Sequence, residues 1–138
     1  TRENMMEHLG IELTELGTDY ICGRMPVDHR TVQPMQFLHG GASMALAESL
    51  GSIGAQLVVD NDRFNCVGME INANHLKMVH DGFVHAIARP VHIGVRTHVW
   101  SVEIRNEKNE LVCISRITIA VIDKKGEFNN PLVPQFKI

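Results

Sequence analysis

The hydrophobic pattern of this chain changes period along its length. From Leu38 to Leu57, in LHGGASMALAESLGSIGAQL, apolar side chains return every three or four residues, and Ala42, Leu46, Leu50, Ile53 and Leu57 make one continuous seam. That spacing predicts a helix over residues 38–57 packed along a sheet. A second stripe, Gly41, Met44, Ala45, Glu48, Gly51, Ser52 and Ala55, holds mostly small residues. A water-facing stripe normally carries long charged or amide side chains, so the helix is expected to be covered on two sides, with the small stripe admitting another backbone. After residue 63 the period falls to two. FNCVGMEINANHLK, GFVHAIARPVHIG, RTHVWSVEIRN and LVCISRITIAVID each read as a strand, divided by turn signals at Asp81-Gly82, at Gly94 and from Asn106 to Asn109. His98, Trp100, Val102 and Ile104 alternate with Thr97, Val99, Ser101, Glu103 and Arg105, and the last run is apolar on both faces apart from Arg116, as in a central strand.

Upstream, GIELTEL and TDYICGRMPVD are two more strand-like runs separated by Gly17, and the opening TRENMMEHLG reads as the end of a short helix or a frayed terminus. A polar loop bracketed by Pro26 and Pro34 leads into the helix. The order is thus two strands, one long helix and four strands. Short connections imply antiparallel neighbours, and a helix laid across the concave face of such a sheet buries both apolar surfaces. The expected fold class is α+β, as one domain over residues 1–138, with the tail 124–138, KKGEFNNPLVPQFKI, extended or loosely docked.

Composition narrows the function. A chain of 138 residues suffices for one domain that buries roughly two thirds of its unfolded surface. A hydrophobic share of 44% against 21% charged residues excludes a disordered chain. A net charge of −3 offers no basic face to nucleic acid. Ser43, Glu48, Ser49, Ser52 and Gln56 interrupt the one segment near the length of a membrane span, so no membrane partner is expected. No signal peptide is read, and a start at Thr1 without Met fits a trimmed terminus. Cys22, Cys66 and Cys113 are far apart, odd in number and without CxxC spacing, which predicts reduced core thiols in a cytoplasmic protein. The eight histidines show neither a helical HxxxH nor finger spacing, so neither a metal nor a cofactor is expected.

Glu48 is the one carboxylate inside the apolar segment. A glutamate on a helix ordinarily faces water, but here the residues three and four positions away are Met44, Ala45, Gly51 and Ser52, with no Lys or Arg to pair with. The expectation is a partly desolvated acid with a raised pKa, kept for chemistry rather than stability. At the helix start, His39-Gly40-Gly41 offers backbone N–H groups without intrahelical partners, at the positive end of the helix dipole. Glycines there let a ligand atom come close, so the terminus can bind an anion or a developing oxyanion. Gly40 and Glu48 are eight positions apart, about 12 Å along a helix. One carbonyl cannot touch both groups on a straight helix. Two copies packed antiparallel would set the start of one helix beside the middle of the other, making two equivalent sites in a two-fold dimer.

At this point a family likeness enters. The blocks MPVDHRTVQP, LHGGASMALAES and GSIGA, followed by VGMEINANHLK and VHIGVRTHVW, resemble the hotdog-fold acyl-CoA thioesterases, and within them the 1,4-dihydroxy-2-naphthoyl-CoA and 4-hydroxybenzoyl-CoA branch. The likeness runs from Leu9 to Ile122 with its blocks in order. It implies a curved antiparallel sheet wrapped around one long central helix, and a homo-oligomer, a dimer with active sites at the interface, often a dimer of dimers (a homotetramer). It also implies hydrolysis of an acyl-CoA thioester to a free acid and coenzyme A, which enters as part of the substrate. A menaquinone precursor is among the acyl groups so implied.

By the same likeness the catalytic carboxylate falls on Glu48, the carbonyl-oxygen donor on the Gly40 N–H, the loop glutamine on Gln33 and a helix hydroxyl on Ser52. Glu48 either attacks the thioester carbon, giving a mixed anhydride, or activates a water as general base. Gln33 would place the carbonyl or the water, and Ser52 would hold a water. His39 orients the loop, or sits in the core against a backbone carbonyl. Gly41, Gly68, His75, Lys77, Gly94 and Arg96 fall where the family contacts substrate and coenzyme A. Lys77 and Arg96 are suited to phosphate. No GxxxxGK[ST] or GxGxxG occurs. Where the family commonly shows Phe-Gly before its LHGG segment, this chain has Met35-Gln36-Phe37. Three alternatives remain beside this reading: a thioesterase of broad specificity acting on carrier proteins, a non-catalytic acyl-CoA-binding module that would not require Glu48, and an enoyl-thioester hydratase, whose Asp/His pair has no comparable block here.

Overall fold

The predicted elements form close to their expected bounds in the computed structural model, which describes residues 3–125. A short helix α1 (Met5–Leu9) is started by Asn4, whose side chain accepts the Glu7 N–H at 3.1 Å, and ended by Gly10 at φ 74°. Then come β1 (Glu12–Leu16), β2 (Ile21–Pro26), the long helix α2 (Gly40–Val58), β3 (Phe64–His75), β4 (Phe83–Ile93), β5 (Thr97–Arg105) and β6 (Leu111–Asp123). The strands form one six-stranded sheet in the order β1-β2-β4-β5-β6-β3, every neighbour antiparallel. The chain therefore leaves β2, crosses the sheet as α2, and returns on the far edge as β3. Of the tail, only Lys124 and Lys125 lie within the described residues, in a turn; the expected extended course of residues 126–138 falls outside them.

Strand alternation sets the core. His98, Trp100, Val102 and Ile104 of β5 are buried and their neighbours are not. From β2, Ile21 and Met25 point the same way, as do Val84, Ala86 and Ala88 from β4 and Ile117 and Ile119 from β6. Against them α2 lays Ala42, Leu46, Ala47 and Leu50, each large aliphatic contributing about 1.5–3 kcal/mol by its removal from water. Helix and sheet approach closely because α2 has no side chain where it crosses. A Cβ on Gly51 would lie 2.6 Å from Ile117 Cδ1, and one on Gly54 would lie 2.8 Å from the Trp100 ring.

Three expectations need correction. Leu57 is 52% exposed and Ile53 half-buried, so the seam loses contact in the last turn of α2. Gly51 and Ala55, placed on the small stripe, are buried within the chain, which leaves Gly41, Met44, Ala45, Glu48 and Ser52 as the outward part. β6 does have neighbours on both sides, but Ile114 and Arg116 on its outer face are exposed.

Two edges remain. β1 is short and exposed throughout. β3, at 12 residues, pairs only with β6, and its register slips between Gly68 and Glu70, so Met69 bulges. Val67 and Met69 are 40% and 63% exposed along it. No helix among the described residues is long and apolar enough to cross a membrane.

Candidate active site

The approach to α2 is a loop held at several points. Thr31 Oγ1 accepts the Asp28 N–H at 3.1 Å and donates to Pro26 O at 2.8 Å. The Arg30 guanidinium, bonded to Asp28, holds that carboxyl down at about 2. His39 N–H then donates to Thr31 O and Leu38 N–H to Val79 O, both at 2.8 Å, so the helix entrance is tied to the loop and to the segment after β3. Within the loop Gln36 adopts φ 69°, in the left-handed region that glycine enters most easily. This is the segment that departs from the family's Phe-Gly. Gln33 Oε1 accepts the Met35 N–H, which leaves its amide nitrogen, a donor, without a partner among the described residues.

His39 caps the helix. Its ring is exposed rather than in the core, and Nδ1 accepts the Gly41 N–H at 2.8 Å. That bond occupies the Gly41 amide, while the Gly40 N–H has no partner among the described residues. The His75 ring lies over Gly40: a Cβ there would be 2.9 Å from Nε2. Gln33, Phe37, His39, Gly40, His75 and Lys77 line one cleft of about 600 Å³. Lys77 Nζ sits 2.8 Å from the Glu110 carboxylate, and this ammonium, with the Asn106 side chain, holds the Glu110 carboxyl below its usual range.

Glu48 lies a little over two turns beyond Gly40 along α2, on its outward side. It is exposed in the single chain and makes no hydrogen bond or ion pair among the described residues, which corrects the expectation of a desolvated acid. The small residues that flank it leave its carboxylate uncovered. It rests on β3, where a Cβ on Gly68 would lie 2.5 Å from Oε2. A second, smaller hollow of about 400 Å³ gathers Glu48, Ser52, Ser49 and Ala45 with Met5 and Met6 of α1. These two methionines carried no signal in the sequence, because α1 is too short to show a period.

Gly94 and Arg96 form the turn between β4 and β5, where Val121 N–H donates to Arg96 O at 2.9 Å. Thr97 pairs with Ala120 and Ala120 with Val67, so this turn stands level with the Gly68 end of β3. His75 lies seven positions on, about 23 Å at strand rise. The candidate residues of one chain thus fall into two groups. Gln33, His39, Gly40, His75 and Lys77 share the large cleft, while Glu48, Ser52, Gly68, Gly94 and Arg96 stand apart from it.

A long helix wrapped by a six-stranded antiparallel sheet, entered through a glycine pair and carrying one outward acid, defines the hotdog thioesterase class. The comparisons agree. The Thioesterase superfamily profile matches residues 35–113. The chain is 44% identical over 119 residues to the 1,4-dihydroxy-2-naphthoyl-CoA hydrolase of Escherichia coli (strain K12), covering 86% of this chain and 87% of that protein. It is 45% identical over 118 residues to the proofreading thioesterase EntH of Cronobacter turicensis, covering 86% and 85%. The crystal structure of thioesterase HI1161 from Haemophilus influenzae superposes with a TM-score of 0.83 at 48% identity, over 86% of this chain and 82% of that one. The chain belongs to the hotdog thioesterase superfamily and is a thioester hydrolase.

Proposed function

We propose that this protein hydrolyses aromatic acyl-CoA thioesters at sites shared between two copies of the chain. The observation that carries the reading is the division of the candidate residues. The acid and the helix-entrance N–H sit about 12 Å apart on one helix and open into different hollows. The long open edge of β3 runs between the two groups. Pairing two such edges antiparallel would set the His75 end of one chain beside the Gly68 end of its copy. Gly40, His75 and Lys77 of one would then face Glu48, Ser52 and the Arg96 turn of the other. The exposed Val67 and Met69 would be covered in the same step. Assembly of two such dimers into a tetramer extends the reading.

In that site Glu48 either adds to the thioester carbon or takes a proton from the water that does. Charge growing on the carbonyl oxygen meets the Gly40 N–H, with the unpartnered Gln33 amide nitrogen at hand. The C–S bond breaks and the thiolate takes up the proton released by the water. On the first route water then hydrolyses the Glu48 anhydride, and on either route coenzyme A leaves as the thiol and the acyl group as the acid. Lys77 and Arg96 supply the cations that coenzyme A phosphates need. The 1,4-dihydroxy-2-naphthoyl-CoA named for the Escherichia coli relative favours an aromatic acyl group, and Phe37 in the large cleft suits one. Release of free thiol across aromatic, short-chain and long-chain CoA esters tests the proposal. Glu48→Gln should lower turnover by about a hundredfold or more while leaving the unfolding midpoint unchanged, since the side chain is exposed. Turnover of that variant at the rate of the unmutated protein would refute the assignment.

A further inference from the structure

Four polar residues are buried among those described: Thr31, Ser43, His98 and Ser115. Thr31 donates to Pro26 O at 2.8 Å, Ser115 donates to Asn72 O at 2.9 Å, and His98 Nδ1 accepts the Trp100 indole Nε1–H at 3.4 Å. Ser43 is 1% exposed and its hydroxyl has no hydrogen-bond partner among the described residues. It does line the large cleft, beside Gly40. A helical serine usually donates to the carbonyl four positions back. Here that carbonyl is His39 O, which already accepts the Ala42 N–H at 3.0 Å and the Ser43 N–H at 3.2 Å. Side chains on a helix lean toward its N-terminus, so the Ser43 hydroxyl lies over the first turn of α2, the turn that presents the free Gly40 N–H.

We propose that Ser43 is a second donor to the thioester carbonyl oxygen, working beside the Gly40 N–H. The inference rests on reading the helix entrance as the carbonyl site. If the side chain only filled space, alanine would serve better: it is the stronger helix former and carries no polar group to bury. No fully buried side-chain oxygen or nitrogen among the described residues lacks a partner, so the unpartnered Ser43 hydroxyl keeps its small exposure toward the cleft and is satisfied by what enters it. The tetrahedral state, with more charge on oxygen than the ester, would take this bond more strongly than the ground state does.

Two non-hydrolysable analogues of one acyl-CoA test the bond. The first replaces sulfur by CH2 and keeps the carbonyl; the second keeps sulfur and replaces the carbonyl by CH2. Ser43→Ala should bind the ketone about five- to tenfold more weakly and the thioether unchanged, the loss expected for one hydrogen bond. Ser43→Cys, close in size but a weak donor, should fall between. Equal weakening of both analogues, or no weakening of the ketone, overturns the role of Ser43 while leaving the acyl-CoA site standing. Failure of the unmutated protein to bind either analogue sinks that site, and this inference with it.

Discussion

At the residue scale, two glycines stand closest to the proposed chemistry. The His75 ring would meet a Cβ at Gly40, and the Glu48 carboxylate would meet one at Gly68. Gly68→Val should therefore displace the acid and lower turnover by about ten- to a hundredfold, with little change in the packing of the single chain, where position 68 is exposed. Steady-state kinetics and a thermal melt on the same preparation separate these effects, and an unchanged rate would mean that the carboxylate need not rest on β3. The sequence made Gly40 conspicuous through the helix start. Gly68 came only with its family block, because the reason for a glycine there is a contact between segments twenty positions apart. Ser43 was legible only as a polar break in an apolar run. Its missing bond is a tertiary fact, since the loop before α2 decides which groups reach the His39 carbonyl. Glu48 stood out by its neighbours, but neighbours three and four positions away describe one helix, and so they misjudged its exposure.

At the scale of elements, period did most of the work. Steps of three and four placed α2 to within two residues, and alternation placed the four later strands, because each pattern reports which side chains share a face. Strand order and the bulge at Met69 were not legible, since both depend on which strands meet. Nor was the start of α2 read as a capped one. Histidine is an unusual cap, but Nδ1 takes the place of a serine or aspartate oxygen. His39→Ala should cost about 0.5–2 kcal/mol in urea unfolding, and His39→Asn should regain most of it. Equal stability of the alanine variant would show that the Gly41 bond contributes nothing. Any loss of turnover that persists in the asparagine variant would belong to the imidazole itself.

For the whole molecule, the question is whether a site needs one chain or two. Glu48→Gln removes the acid and Gly40→Pro removes the N–H, and under the proposal each homodimer is inactive. After co-refolding of equal amounts, half of the dimers are mixed, and each of these has one intact and one doubly altered site. About a quarter of the unmutated activity should return. If acid and N–H act within one chain, no chain of a mixed dimer holds both and nothing returns. Pairing along β3, as proposed, would carry a second benefit. Twelve residues of unpaired ladder, with valine and methionine exposed along it, form a template that any extended segment can copy without end. Two-fold closure would use that template once and exhaust it. Solubility and hydrolysis would then depend on the same strip of backbone, so selection acting on either one would preserve the other.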